Sequence, residues 1–184
     1  MNRRARFYRN ADDGHGTLRL KLYSLEPLAL SDAVPALENF GFRVLEELST
    51  ALDGGRLGYV QKFVLDTASG RAAAALVANA GELEPALGAV LEGSAENDEF
   101  NQLIVELGLD PFSVTLFRAL FRYLRQTGLS YVLATVVAAL RNAPEIARAL
   151  SALFAARHGP AAEARRAAAD AGAAGYGAVL DGHL

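Results

Sequence analysis

The stretch from Glu96 to Tyr131, ENDEFNQLIVELGLDPFSVTLFRALFRYLRQTGLSY, constrains the fold more than any other part of the chain. Phe100, Leu103, Ile104 and Leu107 fall at i, i+3, i+4 and i+7, the spacing that lines one face of an α-helix. Gly108 ends that helix, and Asp110-Pro111 begins another, because a carboxylate accepts from a free N–H and proline's missing N–H is not needed at the first position. The second helix has an apolar stripe of Val114, Phe117, Leu120, Phe121 and Leu124, an arginine stripe of Arg118, Arg122 and Arg125, and Gly128 at its end.

Upstream, the period changes from 3.6 to 2. Residues 1–16 are polar and glycine-bearing and are expected to organise little. TLRLKLY, residues 17–23, alternates strictly and predicts a strand with one wet face. Ser31 and Asp32 are helix-start residues, followed by Ala33, Val34, Ala36, Leu37 and Phe40 on an amphipathic helix that Gly41 stops, with Pro35 placed in about the first turn. Phe42 to Leu48 alternates again, with room for a bulge. Asp53, Gly54 and Gly55 suit a turn with positive φ, and Leu57 to Leu65 returns as the partner strand. A strand, a helix and a hairpin open a ferredoxin-like βαββαβ unit.

Residues 71–80 read as helix, with a short closing strand as the alternative, and Glu84 to Leu91 supplies the unit's second helix. After Gly93 four short helices follow as far as Arg157 and imply an antiparallel bundle, and past Pro160 a helix frays into a tail. The expected fold is therefore α+β: a ferredoxin-like βαββα unit over residues 17–93, a helical bundle over 94–158 and a helical to flexible tail over 159–184.

Composition narrows the function. The chain has no cysteine and three scattered histidines, His15, His158 and His183, which argues against a disulfide framework or a metal cluster. A formal charge of −3, from 18 basic and 21 acidic residues, argues against nucleic acid as the main partner. No apolar run is long enough to span a membrane or act as a signal, so a cytoplasmic location is expected. Neither G-x-G-x-x-G nor G-x-x-x-x-G-K-[ST] nor G-x-S-x-G occurs, and no catalytic, cofactor-binding or metal-binding residue is assigned. Lys21 and Lys62 read as solvent-facing strand residues. Glu96, Asp98 and Glu99 are read as first-turn carboxylates favoured by the helix dipole, and Phe100, Phe112, Phe117 and Phe121 as core. Arg118, Arg122 and Arg125 form a candidate docking face for an acidic surface, or else a solvated stripe.

Two stretches resemble the large NAD-specific glutamate dehydrogenases of bacteria. RLKLYSLEPLALSDAVPALENFGFRVLEE, residues 19–47, carries L-S-D, P-x-L-E-N and G-x-R-V marks; AENDEFNQLIVELGL and FRALFRYLRQTGLSY carry E-N-D-x-F-N-x-L and Y-L-R-Q. Gln61-Lys62 departs from the His-Asp pair more usual there. The resemblance implies an ACT-like regulatory or assembly segment ahead of a catalytic part that converts L-glutamate, NAD and water to 2-oxoglutarate, ammonia and NADH. It implies that NAD belongs to the parent enzyme and not to this segment, and that the partners are the rest of the parent and a homo-oligomer. It further implies an amino-acid effector, for which Leu30, Ser31 and Asp32, at a helix N-terminus, are the candidate contacts. The alternative is a stand-alone, non-enzymatic small-molecule-binding or protein-interaction module.

Overall fold

The computed structural model describes residues 3–67 and 73–158, which divide into two compact units between Pro111 and Phe112. The expected tail, His183 and the start of the 71–80 segment lie outside the described residues.

The first unit is a four-stranded antiparallel sheet with helices on one face. Its strands are β1 (Arg3–Tyr8), β2 (Thr17–Ser24), β3 (Phe42–Ala51) and β4 (Tyr59–Thr67), in the order β1-β2-β4-β3. Its helices are α1 (Leu30–Asn39), α2 (Ala73–Ala78), α3 (Ala80–Leu91) and α4 (Gln102–Leu107). Alternation sends Leu18, Leu20, Leu22, Phe63 and Leu65 into the core beneath Ala33, Ala36, Leu37 and Phe40 of the α1 segment and Leu83, Leu87 and Val90 of α3. The anticipated bulge falls between Val44 and Glu46 and turns Leu45 outward, and the hairpin takes positive φ at Asp53, Gly54 and Gly55.

Three expectations are corrected. Residues 1–16 do organise the sheet: β1 pairs along its own whole length with Arg19–Ser24 of β2 and puts Phe7 into the core, with its ring 5.6 Å from that of Phe42. RRARFY alternates, but its outward arginines disguise the strand. The fourth strand, which a βαββαβ chain supplies after its second helix, is here supplied before the first. Two carboxylates, one on α3 and one just past its end, seal this edge: Glu84 Oε1 accepts from Phe7 N–H at 2.8 Å and Glu92 Oε1 from Arg3 N–H at 2.8 Å. Second, Pro35 is the sixth residue of α1, not a first-turn residue, so the bond to the Ser31 carbonyl is lost where both residues are exposed to water. Third, Phe112 is exposed, because it precedes Val114 by two residues and so lies roughly 200° round the helix from it.

α4 belongs to the first unit, so the two helices of the Glu96–Tyr131 stretch are divided between units. Asp98 accepts from Phe100 N–H at the start of the 3-10 turn Glu99–Asn101 that leads into α4, and Gly108 at φ 66° ends α4. The second unit holds α5 (Pro111–Gln126) from Phe112 onward, α6 (Leu133–Asn142) and α7 (Pro144–His158). Phe112 meets Phe154 with ring centroids 6.4 Å apart, and α6 and α7 each bury one residue fully, Val137 and Ala147.

Candidate functional site

Leu30, Ser31 and Asp32 form the exposed first turn of α1. Neither Ser31 nor Asp32 caps the helix. The cap is Ala29, whose carbonyl accepts from Asp32 N–H and Ala33 N–H, both at 3.1 Å, while Ser31 Oγ reaches only Asp32 Oδ1 at 3.5 Å. The first N–H groups of a helix have no intrahelical acceptor, so those of Leu30 and Ser31 face outward beside the Asp32 carboxylate.

Behind this turn lies a polar residue that the sequence marked only as part of a departure from the family's His-Asp pair. Gln61, only 4% exposed, sits on the core side of β4 in phase with Phe63 and Leu65. Its Nε2 donates to the Leu28 carbonyl at 2.9 Å and to Glu47 Oε1 at 3.4 Å, and its Oε1 has no hydrogen-bond partner. Leaving such an acceptor unmatched in a core is costly. The available signal was a polar residue on the inward phase of an otherwise apolar strand.

The arginine stripe is split. Arg118 is 5% exposed and buried, whereas Arg122 and Arg125 are exposed, the latter with its guanidinium 5.9 Å from the Phe121 ring centre. The apolar stripe divides in the same sense: Val114 and Phe117 are buried, while Leu120 and Leu124 are open, joined by Tyr123, Leu129, Tyr131 and Val132.

The β1–β2 turn contains a heavily bonded ion pair. Arg19 donates to Asp13 through Nε at 2.9 Å and Nη2 at 2.8 Å, Asn10 N–H adds a bond at 2.7 Å, and Arg9 clamps the carbonyls of Asp13, Gly14 and Thr17. The Arg19 bonds, followed by the Asn10 N–H, hold the Asp13 carboxyl below the ordinary aspartate range, and Asp13 raises Arg19 in turn. The cluster ties down a turn. A cavity of about 390 Å³ lies among Leu76, Leu83, Ile104, Val105 and Leu109, with Asn79 and Glu82 also lining it.

Among the described residues no three of His, Asp and Glu gather to hold a metal ion, and no helix is long and apolar enough to cross a membrane. The strand-to-helix connection over residues 25–29 has no glycine to bring backbone against a pyrophosphate.

The family model described as glutamate dehydrogenase, ACT3 domain, matches residues 3–77, and that described as glutamate dehydrogenase, helical motif 3, matches residues 95–160. Among similar proteins, the NAD-specific glutamate dehydrogenase of Pseudomonas aeruginosa is 38% identical over 151 residues, 80% of this chain and 9% of that protein. That of Halomonas elongata is 32% identical over 156 residues, 84% of this chain and 10% of the relative. That of Mycobacterium tuberculosis is 31% identical over 159 residues, 83% and 10% respectively. The chain thus spans about a tenth of the length of the curated relatives it matches. With its sheet starting where the first family match starts and its helices following, the chain belongs to the glutamate dehydrogenase family, as a segment carrying that family's ACT3 domain and helical motif 3.

Proposed function

We propose that this chain is a regulatory and assembly segment of an NAD-dependent glutamate dehydrogenase, whose catalytic part oxidises L-glutamate with NAD and water to 2-oxoglutarate, ammonia and NADH. NAD is bound there and not by this segment. The observation that carries the assembly role is the open apolar set Leu120, Tyr123, Leu124, Leu129, Tyr131 and Val132, bordered by exposed Arg122 and Arg125. Large apolar side chains left open on a helix and the loop after it, with exposed charges between them, suit a protein–protein contact. The occupant is the remainder of the parent polypeptide, whose carboxylates pair with the two arginines; Arg118, being buried, supports the helix from within. Mixing the chain with the remaining parent polypeptide should give a complex that Leu120→Gln with Leu124→Gln weakens. Association unaffected by that double change refutes the assembly role, and glutamate turnover by the purified chain refutes the non-catalytic one.

The regulatory role rests on the α1 entry. A free amino acid would set its carboxylate against the Leu30 and Ser31 N–H groups and its ammonium toward Asp32 and the unmatched Gln61 Oε1. Calorimetry with the common amino acids should show heat for at least one, lost in Gln61→Leu. No heat for any of them removes the effector and leaves assembly.

A further inference from the structure

The helices cover one face of the sheet, and the other face has an unusual charge arrangement. The register sets Arg6 opposite Lys21, Lys21 opposite Lys62, and Lys62 opposite Leu48, all on the helix-free face. Adjacent strands lie about 4.8 Å apart, and like charges directly opposite destabilise a sheet. Carboxylates do little to neutralise this rung. Lys21 places its ammonium over the Tyr8 ring, 4.8 Å from the centre, and Arg6 reaches round the edge to Glu84 at 3.7 Å with its side chain 70% exposed. Lys62 is exposed and has no ion pair among the described residues. Arg4 adds a further exposed cation one rung along, and Tyr23, Val60 and Val64 supply apolar flanks. By contrast, α1, α2, α3 and α4 contain no lysine or arginine and carry Asp32, Glu38, Glu82, Glu84 and Glu106. The unit is therefore polarised, basic on its sheet face and acidic on its helical layer, inside a chain of net charge −3.

We infer that the open sheet face is a second docking surface, built for a carboxylate-rich polypeptide segment with apolar neighbours. The three cations of one rung match discrete carboxylates, and the flanking tyrosines and valines take the apolar side chains beside them. A nucleic-acid backbone fits less well, because continuing toward β3 it would cross Asp66 and Glu46 on the same face.

The full chain should bind a labelled ten-residue poly-glutamate peptide saturably in fluorescence anisotropy, and the binding should weaken as salt rises. Lys21→Gln with Lys62→Gln should weaken it on the order of tenfold, two exposed pairs being lost. Arg56→Gln, at the β3–β4 turn and bonded to Asp53, should leave it unchanged. Lys62→Gln should also raise the amide-exchange protection of Leu20 and Leu22 in β2, since it relieves repulsion within the rung; a residue retained at a cost in stability and needed for binding is what a docking surface predicts. Absence of saturable binding, equal binding by the double variant, or tighter binding of a ten-nucleotide single-stranded RNA than of the peptide would each overturn the inference.

Discussion

Phe7→Ala tests whether β1 is an integral strand of the sheet. The ring is 1% exposed and packs 5.6 Å from Phe42. Removing it forfeits about 1.5 to 3 kcal/mol of burial. If about half of a ring-sized void of ~100 Å³ persists, the cavity adds about 1.2 kcal/mol at ~24 cal/mol per Å³. The expected loss is thus about 3 to 4 kcal/mol, a large part of the ~5 to 15 kcal/mol typical of a domain. Because the chain has two units, a global melt would mix them, and amide exchange of Leu18, Leu20 and Leu22 in β2 reports the first unit alone. Protection of those amides should fall by about two to three orders of magnitude. Phe112→Ala, at an exposed position, should leave them within a factor of about three. A fall of less than about tenfold in the Phe7 variant would mean that Arg3–Tyr8 is not part of the cooperative core, and that the sheet is complete with three strands.

Gly58 has φ 98°, and a Cβ there would lie 2.4 Å from the Ser24 carbonyl, so Gly58→Ala should cost at least about 3 kcal/mol. Gly54, at φ 62° with open space around it, should cost only about 1 to 2 kcal/mol on the same change; urea midpoints that fell equally for both would refute the steric argument. Asp13 has a carboxyl pKa lowered on folding by Arg19 and the Asn10 N–H, so its stabilisation is complete above the unfolded-chain value and is lost as pH falls through the lower folded value. Asp13→Asn should therefore destabilise at neutral pH and flatten the decline in stability below about pH 4, and melting temperatures across pH 2 to 7 that ran parallel for the two proteins would contradict this.

Much of the fold was legible because its signals are local. Leu18, Leu20 and Leu22 alternate, Ala33, Leu37 and Phe40 recur at helical spacing, and Asp53, Gly54 and Gly55 adopt the positive φ that their side chains permit. The β1 strand was not legible. RRARFY offers one large apolar residue for the core, and its outward arginines are unremarkable for a loop; pairing with β2 and its bonds to Glu84 and Glu92 make it a strand. The α1 entry could be placed from sequence, but its cap was misassigned, since Ser31 and Asp32 lie inside the helix that Ala29 begins.

By itself, then, the sequence determined the alternation of strand and helix, the turn at Asp53 and the family marks, all properties of residues close together in the chain. Tertiary structure decided what depends on neighbours distant in sequence. It put Gln61 in the core with an unmatched oxygen, split the arginine stripe into buried Arg118 and exposed Arg122 and Arg125, and aligned Arg6, Lys21 and Lys62 on one rung. Periodicity gives a residue's phase within its own element. Only packing and register set which phase is covered and which charges meet.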